Sequence, residues 1–237
     1  MSQLSKEERA AIEAVAKRFF ATWEKGNGDS PDAYLTIAGE RIAVEVTAIG
    51  EGTAARGALT KPRLRLDRVA VGLVGRLQAA LSASVPDGEA VILTVTAPIR
   101  LPSKTAGELQ GKIGDWLARR SAPAEIKETI GGNRIRVCFV KGVSRRMPKV
   151  IGLVHNPDSD PDVLLGLTQS LLLHIGAAAD RRPPDKFTGD RWLVVADEDG
   201  LSHIETYRRV CSQLCVSTDF KRILIAPAGG QIEILIG

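Results

Sequence analysis

The stretch PDAYLTIAGERIAVEVT, residues 31–47, alternates polar and apolar side chains on both sides of a Gly-Glu step. Alternation over runs of this length predicts two β-strands, and Gly39-Glu40 suits the centre of a two-residue type II′ turn. In that register Tyr34 pairs with Glu45. Because successive strand side chains point to opposite faces, one face is wholly apolar and belongs to the core. It consists of Ala33, Leu35, Ile37, Ile42, Val44 and Val46.

The opposite face of this hairpin carries two acids. Asp32 and Glu45 become diagonal neighbours, with backbones roughly 7 to 8 Å apart, from which two carboxylates can converge on one hard cation. Two unpaired carboxylates at this separation repel each other, and a divalent ion would offset that repulsion. The alternative is a solvent-exposed face, where acids need no partner. The residues leave both interpretations open.

Composition bounds the class of protein. The 237 residues are 44% apolar and 25% charged, which predicts a folded chain with a substantial core. The N-terminal residues have no secretory pattern, and three cysteines in such a chain predict reduced thiols and a soluble cytoplasmic protein. The apolar segment that begins at Val163 is interrupted by polar side chains and is interpreted as a buried helix, so no membrane partner is expected.

Helical and strand patterns alternate along the chain. Ser5 and Glu8 have the spacing of a capping box, which opens an amphipathic helix whose apolar spacing continues through Trp23 to Gly26. A second helix is predicted from Pro62. Further helices and strands predict one α/β domain over residues 1–237 with a mixed sheet, because its hairpins must be antiparallel.

Positive charge is concentrated in two stretches that contain no acid. The net charge is only +4, from 32 Lys and Arg against 28 Asp and Glu. The stretches suggest a polyanion partner, whereas solvated loops and protected strand edges explain them equally well. They carry Arg56, Lys61, Arg63 and Arg65, and then Arg134, Arg136, Lys141, Arg145, Arg146 and Lys149.

A helix, a Pro-Asp step, a strand and turn, and an apolar strand with Glu-x-Thr together resemble the PD-(D/E)xK nuclease superfamily. Pro31 and Asp32 match its PD, and Glu45 and Thr47 stand at its two conserved polar positions. The resemblance implies a restriction-endonuclease-like core, with the signature in residues 5–50 and an elaboration over 99–150. It also implies that Asp32 and Glu45 bind Mg²⁺ or Mn²⁺ for hydrolysis of nucleic acid, with DNA the expected substrate.

Thr47 stands where the superfamily has a lysine that positions or activates the attacking water. By analogy with members that move this lysine, Lys61, Arg63 or Arg65 can take its part, so the implied catalytic residues are Asp32, Glu45, Thr47 and Lys61. The implied phosphate contacts are Lys61, Arg63, Arg65, Arg145 and Arg146. The alternative is a catalytically inactive nucleic-acid-binding or protein-interaction module on the same fold. A homodimer is an open possibility for either.

Other candidate groups have simpler explanations. Glu8 could be the further acid that some members of the superfamily contribute, but its capping-box position already accounts for it. Cys211 and Cys215 have a spacing that can hold a metal, yet they share a helix face with apolar residues and are interpreted as buried thiols. His174 lies in an apolar run and is interpreted as a core or partly buried histidine rather than a base.

Overall fold

The computed structural model describes residues 4–27, 30–49, 68–119, 124–155, 161–183, 187–197, 204–214, 218–229 and 231–237. The chain divides into two compact units, each described below by itself. The terminal unit comprises Met1–Ala54 and Ser170–Gly237, and the central unit comprises Ala55–Gln169. A single domain over residues 1–237 stays a prediction, because two compact units can belong to one domain.

The described residues form a mixed α/β fold, which confirms the predicted class. The helices are α1 (Lys6–Arg18), α2 (Arg68–Leu81), α3 (Pro102–Ala118), α4 (Pro161–Asp180) and α5 (Ile204–Leu214). The strands are β1 (Thr22–Lys25), β2 (Ala33–Ile37), β3 (Glu40–Ile49), β4 (Glu89–Thr96), β5 (Glu125–Ile130), β6 (Asn133–Lys141), β7 (Val150–His155), β8 (Arg191–Asp197), β9 (Arg222–Pro227) and β10 (Glu233–Ile236).

The terminal unit is built on a six-stranded mixed sheet in the order β1-β2-β3-β8-β9-β10. The central strands β3, β8 and β9 are parallel, and the strands outside them are antiparallel. Helix α1 packs its buried side chains, including Ile12 and Val15, against Leu35, Val44 and Val194 of the sheet. The predicted apolar face of the hairpin is therefore in the core.

The turn of the hairpin differs from the predicted one. Ala38 and Gly39 form its centre with φ of 50° and 88°, the two positive values that define a type I′ turn. Tyr34 consequently pairs with Ala43, so the predicted pairing of Tyr34 with Glu45 is wrong. A shift of two residues leaves every side chain on its predicted face. Continued one step beyond the Ala33–Val44 pair, the register places Asp32 directly across from Glu45.

Helix α1 is shorter than predicted. Its capping box is confirmed, since the Ser5 and Glu8 side chains each accept a hydrogen bond from the other residue's backbone N–H. The helix nevertheless ends at Arg18, and Trp23 belongs to strand β1, opposite Leu35. The apolar spacing predicted a longer helix, but the chain reverses at Phe20, whose φ is 52°. Trp23 still packs against the core from its strand position.

The central unit is built on a four-stranded sheet in the order β5-β6-β4-β7, antiparallel except between β4 and β7. Helices α2 and α3 cover its apolar face, where Leu77 and Ile113 contact a cluster that includes Leu93 and Val137. Strand β5 was missed because most of its side chains are polar. The predicted start of α2 at Pro62 lies outside the described residues.

Helix α4 confirms the interpretation of the apolar segment as a buried helix. Leu164, Leu171, Leu172 and Ile175 are almost fully buried. In the part of the chain that the structure describes, no helix has the length and apolar character needed to cross a membrane.

Gly152 on β7 allows a close approach of helix α2. A Cβ built at Gly152 would lie 2.0 Å from Val74 Cγ2, so we expect Gly152→Ala to lower the free energy of unfolding of the central unit by about 1–3 kcal/mol. Gly111→Ala on α3, where nothing lies within 4 Å, should instead raise it by about 0.5–1 kcal/mol. Urea denaturation would measure both, and the explanation fails if Val74→Ala does not rescue Gly152→Ala.

Candidate functional site

The two predicted metal-ligating acids lie on the sheet face opposite α1. Asp32 immediately precedes β2, and Glu45 is in the middle of β3, where its side chain is 0% exposed. The expectation of a solvent-exposed acidic face is wrong. Side chains from the end of α4 and the start of β8 cover Glu45, so both faces of this part of the sheet are buried.

Three side chains contact the buried Glu45 carboxylate. Ser30 donates a hydrogen bond to Oε1, and Arg191 Nη2 lies 3.6 Å from the same oxygen. Arg181 Nε lies 3.2 Å from Oε2. Its N–H is not directed at that oxygen, which accepts no hydrogen bond from the described residues. Oε2 is thus held by charge attraction to Arg181, and its lone pairs accept no hydrogen bond from the described residues.

The environment of Glu45 raises the pKa of its carboxyl group above the ordinary value. Burial is the main cause of a raised pKa, and the nearby charge of Asp32 acts in the same direction. The hydrogen bond from Ser30 and the positive charges of Arg181 and Arg191 oppose the rise without cancelling it.

Asp32 shares its cationic partner with Glu45. Its Oδ2 accepts a hydrogen bond of 2.8 Å from Val46 N, and its Oδ1 accepts one of 3.2 Å from Arg181 Nη1. The same guanidinium donates to Val46 O at 3.3 Å. The two carboxylates therefore converge on one cationic group, and the expectation that they are unpaired is wrong because Arg181 neutralises part of their charge.

Thr47, at the position of the superfamily lysine, contacts His174, which the sequence did not indicate as a site residue. Thr47 Oγ1 and His174 Nδ1 are joined by a hydrogen bond of 2.8 Å, and burial lowers the pKa of His174. His174 is half-buried, which confirms the interpretation of a partly buried histidine. Its position seven residues before Arg181, two turns along α4, was the signal that both side chains could reach β3.

Arg191 was not predicted as a site residue either, because it is the first residue of an apolar strand. Its side chain is only 6% exposed and donates to both carboxylate oxygens of Asp219 at 2.7 Å. It also donates to Arg181 O at 2.7 Å and stacks over the Phe220 ring at 4.7 Å. Arg191 thus fixes the backbone that presents the Arg181 side chain to the acids.

The other predicted site residues lie outside the described residues or in the central unit. Lys61, Arg63 and Arg65 lie outside the described residues, so their roles stay predictions. Arg145 and Arg146 belong to the central unit, on the connection from β6 to β7, whereas the acids belong to the terminal unit. Arg145 Nε lies 3.6 Å from Asp87 Oδ2.

The interpretation of Cys211 as a buried thiol is confirmed. Cys138 and Cys211 are buried, and Cys215 lies outside the described residues. The described residues contain no cluster of three or more His, Cys, Asp and Glu side chains that could hold a metal.

The donor atoms present nevertheless fit a magnesium or manganese ion. Both acids offer hard oxygen ligands, and Mg²⁺ in proteins is commonly held by one or two carboxylates together with water and substrate phosphate. Glu45 Oε2 has no hydrogen bond to lose among the described residues. The side chain of Arg181 is 36% exposed, so the guanidinium that pairs with both acids is open to solvent.

Comparisons with protein-family models, curated proteins and solved structures find no match for this chain. Functional inference therefore rests on the site itself: a buried carboxylate pair that holds a partly exposed guanidinium, next to a threonine–histidine pair.

The raised pKa of Glu45 predicts a pH-dependent stability. Because the folded state binds this proton more tightly than the unfolded state, the stabilisation is complete below the unfolded pKa near 4.5 and is lost as pH rises through the folded pKa. The difference in unfolding free energy between wild type and Glu45→Gln should therefore fall with rising pH, by at most about 1.4 kcal/mol per unit. Urea denaturation from pH 4 to pH 8 measures it.

Ser30→Ala tests the cause of this behaviour. Removal of the hydrogen bond that lowers the pKa of Glu45 should move the same transition to higher pH. A difference between wild type and Glu45→Gln that grows as pH rises contradicts the assignment.

Proposed function

We propose that this protein is a divalent-metal-dependent nuclease on a restriction-endonuclease-like core, with Asp32 and Glu45 as the ligands of Mg²⁺ or Mn²⁺. The observation that carries the proposal is the convergence of both carboxylates on a single cationic group, Arg181, at 3.2 Å from each. Further support comes from the order of elements: helix α1, a three-stranded meander, Asp32 at the head of β2 and Glu45 within β3.

Arg181 acts as an exchangeable cation in this proposal. With no metal bound, its guanidinium offsets the repulsion of the two acids. With metal and substrate bound, the partly exposed Arg181 side chain would turn outward, and its planar fork is suited to a phosphate oxygen pair. Asp32 and Glu45 would hold the metal, which would supply an activated water and neutralise charge on the phosphate.

The Thr47–His174 pair takes the role of the missing lysine. A neutral imidazole is a good proton acceptor near pH 7, and burial keeps His174 neutral there. A water that donates a hydrogen bond to Thr47 Oγ1 passes its proton to that oxygen while the threonine proton moves to His174 Nδ1. Lys61 remains the competing candidate for this role, and Lys61, Arg63 and Arg65 with Arg145 and Arg146 remain the proposed phosphate contacts.

A catalytically inactive nucleic-acid-binding or protein-interaction module is the second candidate. Two observations favour it: Thr47 replaces the lysine, and Arg181 and Arg191 already balance the charge of Glu45. In this alternative the acids and arginines only hold the unit together.

The first test measures metal binding and strand cleavage together. Wild-type protein, Glu45→Gln and Arg181→Gln are titrated with Mn²⁺ by calorimetry. Each is incubated with plasmid DNA and with RNA in Mg²⁺, Mn²⁺ or chelator. We expect metal-dependent cleavage that Glu45→Gln abolishes, and tighter Mn²⁺ binding by Arg181→Gln because its acids are released. Circular dichroism and urea midpoints establish that each variant is folded.

A folded Arg181→Gln variant that binds no Mn²⁺, together with a wild type that cleaves neither nucleic acid, contradicts the nuclease and supports the inactive module. Salt-sensitive DNA binding then separates a nucleic-acid-binding module from a protein-interaction module, because phosphate contacts release counterions.

If cleavage is found, the proton acceptor is identified by comparing His174→Gln with Lys61→Gln. We expect His174→Gln to lower kcat by roughly 10²–10⁴-fold and to remove the acidic limb of the pH–rate profile, with metal affinity unchanged. The same loss in Lys61→Gln alone would assign the role to Lys61 instead.

A further inference from the structure

The sheet of the central unit has one polar face. Strands β4, β5 and β6 alternate so that Thr94, Lys127 and Arg136 lie side by side on the face opposite α2 and α3. In the next row, Thr96 pairs with His155, and Thr129 pairs with Arg134. Antiparallel sheets commonly have one polar face toward solvent, so it is the enclosure of this face in a pocket that points to a ligand.

This face forms the floor of a pocket of about 420 Å³. The volume lies within the range of small-molecule sites. Its lining is rich in cations and hydroxyl groups and includes the first turn of α4, whose N-terminal peptide dipoles favour an anion. The lining residues are Thr94, Thr96, Lys127, Glu128, Thr129, Arg134, Ile135, Arg136, His155, Pro161 and Asp162.

One buried hydroxyl group in this pocket has no hydrogen-bond partner among the described residues. Thr94 is 2% exposed, and its Oγ1 makes no hydrogen bond to the described residues. A buried polar group left without a hydrogen bond costs about 1–3 kcal/mol, a cost that a valine at this position would avoid. His155 is 7% exposed and pairs with Thr96 on the neighbouring strand, with its Nε2 3.1 Å from Thr96 Oγ1.

The charges of the lining leave a positive excess. Each acid among the lining residues is already paired, Glu128 with Lys112 and Asp162 with Arg136. Arg136 is further held by Glu125, which also lies 3.5 Å from Lys127. Arg134 is exposed and makes no ion pair with any other described residue. The unpaired positive charge of the pocket thus lies at Arg134, in the row of Thr96 and His155, next to the row of Thr94 and Arg136.

We infer that this pocket binds the phosphate group of a ligand about the size of a mononucleotide. Arg134 and Lys127 pair with the outer phosphate oxygens, and Thr94 donates to an inner one. Donors that reach the anion from three strands suit a tetrahedral phosphate better than a planar carboxylate. The inference uses no residue of the Asp32–Glu45 site and does not depend on nuclease activity.

The test measures binding to the full-length protein by calorimetry with inorganic phosphate, a nucleoside 5′-monophosphate, the uncharged nucleoside and a short single-stranded oligonucleotide. We expect saturable binding of the monophosphate that phosphate competes away, and at least tenfold weaker binding of the nucleoside. Competition between oligonucleotide and monophosphate identifies nucleic acid as a source of the phosphate. Binding of the monophosphate alone identifies a free small molecule.

Three variants make the test specific. Arg134→Gln should weaken binding of the monophosphate by about ten- to a hundredfold, as expected for a lost charged hydrogen bond. Thr94→Val should weaken it by about two- to tenfold while raising the urea midpoint, since the unpartnered hydroxyl is removed. Arg119→Gln, which removes an exposed arginine at the end of α3 outside the pocket lining, should leave the affinity within twofold.

Several results overturn the inference. The inference is wrong if the wild type shows no saturable binding of phosphate or monophosphate. Equal weakening in Arg134→Gln and Arg119→Gln also overturns it, because it reveals an effect of net charge alone. Equal affinity for nucleoside and monophosphate excludes phosphate recognition. Glu45→Gln should bind the monophosphate normally, which separates this result from the outcome of the nuclease test.

Discussion

The buried carboxylate of Glu45 is the feature on which the terminal unit depends. A fully buried acid on a central strand must find positive charge and hydrogen bonds inside the protein, because loss of hydration is expensive. Ser30, Arg181 and Arg191 provide these contacts, and they come from three separate parts of the chain. One buried charge thereby ties the segment before β2, the end of α4 and the start of β8 to strand β3. Removal of one partner of such a pair typically costs about 3–5 kcal/mol.

Such an arrangement is a poor device for stability alone. Well-packed apolar residues often replace a buried ion pair without loss, so a retained one invites a functional explanation. The two arginines differ in a way that suggests what that function is. Arg191 is 6% exposed and is held by Asp219 and a backbone carbonyl, whereas Arg181 is 36% exposed and reaches both acids from the end of a helix. Arg191 is thus enclosed within the framework, whereas the Arg181 side chain is partly open to solvent.

The two units hold their candidate sites on sheet faces of different character. In the central unit, helices cover the apolar face of the sheet, and polar side chains lie on the other face, which forms the floor of the pocket. In the terminal unit, the face that carries Glu45 also carries buried apolar residues such as Leu193 and Val195, and the acid is enclosed among them. The charges are opposite in sign: an acidic pair in the terminal unit and an excess of basic side chains in the central unit.

The sequence by itself determined the hairpin faces, the capping box of α1, the buried helix at Val163 and the α/β class, because each follows from local periodicity or from contacts within a few residues. It also brought Asp32 and Glu45 together, since a two-residue error in the turn cannot change a face. Only the tertiary structure showed that the acidic face is buried, because its cover comes from residues 127 to 146 positions further along the chain than Glu45 and Thr47. The same holds for the pocket around Thr94, whose donors lie on neighbouring strands. Strand pairing over such separations is decided by packing of the whole sheet, which no local pattern encodes.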